Sequence, residues 1–416
     1  MSVVHAPVML PRASFATGTC LVMPRHDGCT IFCRSGLCGT PSAVSDTEEK
    51  SSGMRPALVR GRTAVDAFTA KWLSQGNITW AEETATDLLL TAVHPELSYV
   101  SFNRYEEARI GSDWLWWFVD SASHEAFGML VQAKNLKKKG RRWHIDYNYK
   151  NGDQLGSLLR AADLLRVPAV YALYCGDPVY RQELWCDQAH DGVMCTHHPR
   201  AGVSVLPAML AAYLNERYPK DLAAASLHAA LPLEDLATWE GQPWFHAGVV
   251  RDDAVRELLT RPQHGARLVA RRLLKILTDY RARQYAVATD HLQSRLDLDD
   301  AVFTGGIPDD RGHYPRPHFP HVLRGMRRSL PPYVRETLET HRPPQGSEFR
   351  NLVGMAVALI PLMRAAEITH RENTRHESPV RRESIQGGVL GPSSRSVGGW
   401  GVEDGHGGER PQGAAW

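Results

Sequence analysis

Asp113, Gln132 and Lys134 are the residues of this 416-residue chain whose types and spacing point most directly to chemistry. Asp113 opens the aromatic run DWLWWFV, and Gln132 and Lys134 close the apolar run FGMLVQAK. Side chains alternate along a strand, so positions 132 and 134 share one face. A carboxylate, a second oxygen donor and an ammonium converging on that face suit metal-assisted hydrolysis of a phosphodiester. The carboxylate and a main-chain carbonyl offer the oxygen ligands that a hard cation such as Mg²⁺ or Mn²⁺ takes. The cation would polarise the phosphoryl group and lower the pKa of bound water. The lysine would stabilise the charge that develops on phosphorus.

Those residues need a hairpin and flanking helices to hold them. Thr79, Trp80, Ala81 and Glu82 form a T-x-x-E capping-box sequence, which predicts a helix from about Trp80 to Ala92. Ser98–Asn103 reads as a short strand. Asp113–Val119 and Phe127–Lys134 read as two strands joined across the turn cluster Asp120–Glu125. In Gln154–Arg166 the residues Leu155, Leu158, Leu159, Ala162 and Leu165 fall on one helical face. Pro168–Cys175 is apolar throughout, as a buried central strand would be. The order helix, strand, strand, strand, helix, strand predicts an α/β core with a mixed sheet.

With these elements in place, the run from Glu82, Glu83 and Thr84 through GSDWLWWF and VQAKNL to PAVYALY resembles the PD-(D/E)xK nuclease superfamily. The Q-x-K form of Val131–Lys134 is similar to its Mrr branch, and the longer run looks like an uncharacterised bacterial domain family of that superfamily. The resemblance covers about residues 62–200. It implies a restriction-endonuclease-like core, with Asp113 as metal ligand, Gln132 at the position of the second ligand and Lys134 as the catalytic lysine. It also implies a helix-borne metal ligand, for which Glu83 is the expected residue because the capping box occupies Glu82, and a site-facing glutamine at Gln154. The implied activity is Mg²⁺- or Mn²⁺-dependent cleavage of nucleic acid, DNA before RNA, in restriction-like defence against foreign DNA, with a homodimer among the implied assemblies. Gln132 departs from the common carboxylate and removes one negative charge from the site. A fold that binds nucleic acid or a protein partner without cutting is therefore the alternative.

The run Lys134–Arg142 holds six basic residues and no acid. Lys137, Lys138, Lys139, Arg141 and Arg142 read either as a phosphate-gripping loop or as an ordinary solvated one. Trp114, Trp116, Trp117 and Phe118 are expected in the core, with Trp114 or Trp116 as the exceptions that could stack on bases. Cys20, Cys29, Cys33 and Cys38 are spaced too loosely for a zinc site, and Cys186, His190, Cys195, His197 and His198 read as a structured loop closing the core, zinc being the other reading. Arg267, Arg271, Arg272, Lys275, Arg281 and Arg283 lie at helical spacing and are expected on a solvent face, a nucleic-acid or partner surface being the other reading.

Composition bounds the rest. There are 48 Lys plus Arg against 46 Asp plus Glu, a net charge of +2, so any nucleic-acid binding must come from a local patch. Seven Cys do not make a disulfide scaffold, and the odd count fits a reducing, cytoplasmic setting. The N-terminus shows no secretory-signal pattern. The longest apolar runs, Gly202–Leu214 and Leu352–Met363, are shorter than a membrane span of roughly 20 residues, and the second is expected to be a buried helix. The expected organisation is an unstructured segment over 1–55, a nuclease-like domain over 60–200, a mostly helical extension over 201–370 and a disordered tail over 371–416. The tail is assigned on its glycines, ten of which lie in the last thirty residues.

Overall fold

The computed structural model describes residues 53–76, 80–102, 113–139, 142–148, 154–184, 195, 197–239, 250, 252–281, 293–309, 317–349 and 352–360. The expectations for residues 1–52 and 371–416, for Cys20, Cys29, Cys33, Cys38, Cys186 and His190, and for Arg141 and Arg283 lie outside the described residues, as does the side chain of Asp113.

Two helices lead in, α1 (Met54–Ser74) and α2 (Glu82–Val93). The first was not expected, although Met54, Ala57, Leu58, Gly61, Val65 and Thr69 recur at helical spacing and are buried. Strands β1 (Leu97–Ser101), β2 (Asp113–Asp120) and β3 (Ala126–Asn135) follow as the sequence predicts. The β2–β3 turn is set by Asp120, whose Oδ1 accepts the N–H groups of Ala122 and Ser123 at 2.8 and 3.0 Å. Next come a small hairpin of β4 (Lys137–Lys139) and β5 (Arg142–His144), helix α3 (Gln154–Leu164) and strand β6 (Ala169–Tyr174). Helix α3 ends where Arg166 takes a left-handed φ of 54° and Pro168 bars continuation.

The chain continues through α4 (Pro178–Glu183), α5 (His197–Arg200), β7 (Val203–Pro207), α6 (Ala208–Arg217), α7 (Leu222–Ala229) and β8 (Leu231–Pro232). After a 3₁₀ turn at Leu233–Ala237 come α8 (Asp253–Thr260), α9 (Gly265–Arg281), β9 (Gln293–Ser294), β10 (Ile307–Pro308), α10 (His318–Leu323), β11 (Met326–Arg327), α11 (Pro332–Thr340) and β12 (Leu352–Ile360). Seven strands run β1-β12-β2-β3-β6-β7-β8 across one sheet, and β11 pairs with the start of β3. The β12–β2 and β3–β6 pairs are parallel and the others antiparallel, which is the mixed sheet expected. Helices flank it, consistent with a restriction-endonuclease-like core.

Leu352–Met363 departs from expectation. Its described part is not a helix but β12, inserted between β1 and β2. A strand covered on both faces is apolar at successive positions, and such a run is not distinguishable from a buried helix by periodicity. The described residues beyond 200 hold six α-helices, but β7, β8, β11 and β12 extend the same sheet, so hydrogen bonding is continuous across that boundary. The other long apolar run, Gly202–Leu214, divides into β7 and then most of α6.

The aromatic run of β2 is core without exception: Trp114, Trp116, Trp117 and Phe118 are all buried. Fully burying one large apolar side chain is worth about 1.5–3 kcal/mol. Trp117 fills the space opposite Gly128, where a Cβ would stand 2.7 Å from the indole. None of the four is exposed to stack on a base.

Three arginines of α9 do not form the expected solvent face, whereas Lys275 pairs with the exposed Asp279 and the side chain of Arg281 lies outside the described residues. Arg267 donates two bonds to the Glu125 carboxylate at 2.6 and 2.8 Å. Arg271 is buried over the Trp239 ring at 4.1 Å and donates to the carbonyl of Arg261 at 2.8 Å. Arg272, also buried, donates to the carbonyl of Asp235 at 2.8 Å. These side chains satisfy main-chain and carboxylate acceptors inside the fold. A further ionic cluster ties α1 to the chain beyond β6. The buried Glu234 accepts from Arg62 and Arg200 at 3.1 Å each, and Asp66 accepts from Arg62 and Arg181 at 3.2 and 3.1 Å.

Candidate active site

The sheet presents two covered faces at the C-terminal end of β3. Gln132 pairs with Tyr171 and Lys134 with Leu173 on the parallel strand β6. Tyr171 packs its ring 4.6 Å from that of Tyr147, whose hydroxyl donates to Ser226 of α7 at 2.9 Å. That is the face of α3 and α7. Asn135 pairs with Tyr174, whose hydroxyl meets Thr86 of α2 at 2.8 Å, so α2 covers the other face. The end of β3 is where the two coverings meet.

Lys134 is 4% exposed. Its Nζ donates to Oε1 of Gln154, the first residue of α3, at 2.5 Å. The sequence expectation for Gln154 thus acquires a partner: it holds the ammonium. Gln132, two residues earlier on the same strand face, is 2% exposed. The backbone of Asp113 stands directly opposite Gln132 in the β2–β3 register, with Leu352 of β12 on its other side.

The acid that meets this group is Glu82, not Glu83. Glu82 Oε1 accepts the backbone N–H of Asn135 at 3.1 Å and lies 3.9 Å from Lys137 Nζ. Burial pushes its carboxyl above the ordinary value of 4.5, opposed by the positive charge of Lys134, then by the Asn135 N–H and by Lys137. Glu83 is exposed on the first turn of α2. Thr79 of the expected capping box lies outside the described residues, but the helix start differs from that expectation. Helix α2 begins at Glu82 itself, with Ala81 at the N-cap and no side-chain cap, so Glu82 sits at the first helical position rather than the third. Freed from capping, its carboxylate reaches the end of β3.

Asn135 was not singled out from the sequence. Besides its backbone bond to Glu82, its side-chain Nδ2 donates to the carbonyl of Trp80. No sequence signal marks this pair, because Trp80 and Asn135 are 55 positions apart and join only through the packing of α2 on β3.

The basic run is a hairpin rather than a loop. Lys137 pairs with His144, Lys138 with Trp143 and Lys139 with Arg142. Trp143 packs on Tyr180 of α4 at 6.0 Å, and the Lys138 ammonium lies 5.4 Å over its ring. Lys137 turns back towards Glu82, while Lys138, Lys139 and Arg142 are exposed.

The donor set fits a hard cation in kind: the Glu82 carboxylate, the Gln132 amide oxygen and position 113 all offer oxygen. Glu82 keeps a route to solvent, its side chain being a quarter exposed. Among the described residues, no group of three or more His, Cys, Asp or Glu that could hold a metal ion is present. His197 and His198 begin α5, and Cys195 Sγ accepts the His198 N–H at 3.3 Å as a turn contact. Among the described residues, no helix is long and apolar enough to cross a membrane.

No curated protein and no solved structure matches the chain. A family of unknown function, DUF6615, matches residues 60–369, a span that includes every described residue of the site, and the chain belongs to that family.

Proposed function

We propose that the chain is a metal-dependent phosphodiesterase of the PD-(D/E)xK kind that acts on nucleic acid, DNA first, in restriction-like defence against foreign DNA in the cytoplasm. The observation that carries this reading is that Lys134 bonds to Gln154 and the next residue, Asn135, to the Glu82 carboxylate, at the end of the strand whose Gln132 is in register with Asp113. Glu82 and Asp113 would hold a Mg²⁺ or Mn²⁺ ion, with Gln132 adding a neutral oxygen. When bound, such an ion supplies Lewis-acid polarisation and a more acidic water. The chain's own groups do the rest. Gln154 fixes the direction of the Lys134 ammonium, which stabilises charge on the phosphoryl oxygens. Lys138, Lys139 and Arg142 grip the flanking phosphates from the hairpin. The partners under this reading are nucleic acid and, for cutting both strands of a duplex, a second copy of the chain.

A second reading, a protein of this fold that binds nucleic acid or a protein without cutting, is favoured by the burial of Lys134 and the neutrality of Gln132. Cleavage separates the two. Wild type, Asp113→Ala and Lys134→Ala are incubated with labelled single- and double-stranded DNA and RNA in Mg²⁺ or Mn²⁺. The enzyme reading expects cleavage by wild type only. Wild type that binds these substrates and cuts none of them leaves the binding reading.

A further inference from the structure

We infer that Asn135 is a positioning residue that sets the separation of the Glu82 carboxylate and the Lys134 ammonium. The inference rests on the proposed site and adds a component that the motif does not contain.

Asn135 follows Lys134 directly and is 3% exposed. It reaches the start of α2 twice. Its backbone N–H donates to Glu82 Oε1 at 3.1 Å, and its side-chain Nδ2 donates to the carbonyl of Trp80. Trp80 is itself buried, so this carbonyl is a fixed anchor two residues before the acid. The neighbouring Leu136 N–H donates to the carbonyl of Tyr174 at 2.9 Å, which holds the strand end on β6. Tyr174 in turn meets Thr86, and the Thr86 hydroxyl donates to the carbonyl of Glu82 at 2.9 Å. The acid is therefore held through both its carboxylate and its main chain. The most direct bonded route from Lys134 to the Glu82 carboxylate passes through Asn135 alone.

A buried amide suits this task better than a charged group. It donates to a carbonyl without adding a charge beside the carboxylate, and a short side chain allows little play. Without the side-chain tie to the Trp80 carbonyl, the start of α2 is free to shift and carry the Glu82 carboxylate, already a quarter exposed, away from the Asn135 backbone N–H. Loss of Asn135 would therefore weaken the site through Glu82, with the sheet left intact.

Two measurements test this. The first needs no metal: amide hydrogen exchange is followed in wild type and Glu82→Ala. The Asn135 amide is expected to exchange at least roughly tenfold faster in the variant while the Leu136 amide keeps its protection. Equal Asn135 exchange in the two proteins overturns the inference. The second is a cycle of Mn²⁺ affinities by calorimetry over wild type, Asn135→Ala, Glu82→Gln and the double variant, with Asn135→Ser as the donor-retaining control. Asn135→Ala is expected to weaken binding about five- to tenfold in the wild-type background, to add nothing to Glu82→Gln, and to be largely restored by serine. Equal weakening in both backgrounds, or none, overturns the inference. If wild type and Glu82→Gln bind Mn²⁺ alike, the metal-site reading fails, while the exchange experiment still decides whether Asn135 holds Glu82.

Discussion

Lys134 of β3 donates its ammonium to Gln154 of α3 at 2.5 Å, although 20 positions separate them in sequence. The bond crosses from the sheet to the helix that covers it and places a buried cation on a neutral acceptor. Replacing Gln154 by Leu removes that acceptor from a group that is 4% exposed. A cost of about 1–3 kcal/mol in urea denaturation is expected. Lys134→Met on its own removes the charge together with its solvation cost and should be near neutral for stability. The double variant should then lie closer to wild type than Gln154→Leu does. Additive costs in the cycle would show that the two side chains are not coupled.

The raised pKa of Glu82 has a definite sign in stability. Its proton is held more tightly folded than unfolded, so the contribution is fully present below the unfolded value near 4.5 and is lost as pH rises through the folded value. Asp66, also raised by burial, acts in the same direction. Glu82→Gln cannot ionise at this position and lacks the Glu82 component. Thermal melts of both proteins between pH 4 and about 7.5 should show the wild-type transition falling relative to that of the variant as pH rises. A gap that is constant with pH would contradict the assignment.

The hairpin makes a prediction about salt. Lys138, Lys139 and Arg142 are exposed, and Trp143 packed on Tyr180 anchors the strand opposite Lys138. Changing the three cations to Gln should weaken oligonucleotide binding at low salt and reduce the slope of log affinity against log salt by about 2–3, given roughly 0.7–0.9 per phosphate contact. Fluorescence anisotropy at several salt concentrations reads the slope. An unchanged slope would place the phosphate contacts elsewhere.

The ionic cluster around Glu234 is a matter of stability. Its side chain is 1% exposed and pairs with both Arg62 and Arg200, which Asp66 and Asp235 also meet. Glu234→Gln leaves two guanidinium groups without that acid, and breaking a buried pair costs about 3–5 kcal/mol. The lower end is expected because Arg200 is 30% exposed. Chemical denaturation measures it, and a loss under about 1 kcal/mol would mean that the cluster is spectator charge.

Local chemistry made much of this molecule legible. The turn at Asp120–Glu125, the strands on either side of it and the amphipathic face of α3 follow from short-range spacing, and they alone bring Gln132, Lys134 and the backbone of Asp113 together. What stayed hidden depends on distant partners. Strand β12 is apolar at successive positions because β1 and β2 bracket it and both of its faces are covered, and no local period reports that. Glu82 looked like a cap because T-x-x-E precedes the helix, whereas the Asn135 N–H and Lys134, more than 50 positions away, determine where its carboxylate goes. The arginines of α9 looked solvated because their acceptors, Glu125 and the carbonyls of Arg261 and Asp235, are supplied by other elements.

The most direct measurement compares neighbouring acids. Cleavage of a labelled oligonucleotide in Mg²⁺ is followed for wild type, Glu82→Ala and Glu83→Ala. The site described above predicts that loss of Glu82 lowers the rate by at least about a hundredfold, whereas loss of the exposed Glu83 leaves it within about twofold of wild type. Full activity in Glu82→Ala, or collapse in Glu83→Ala alone, would contradict it.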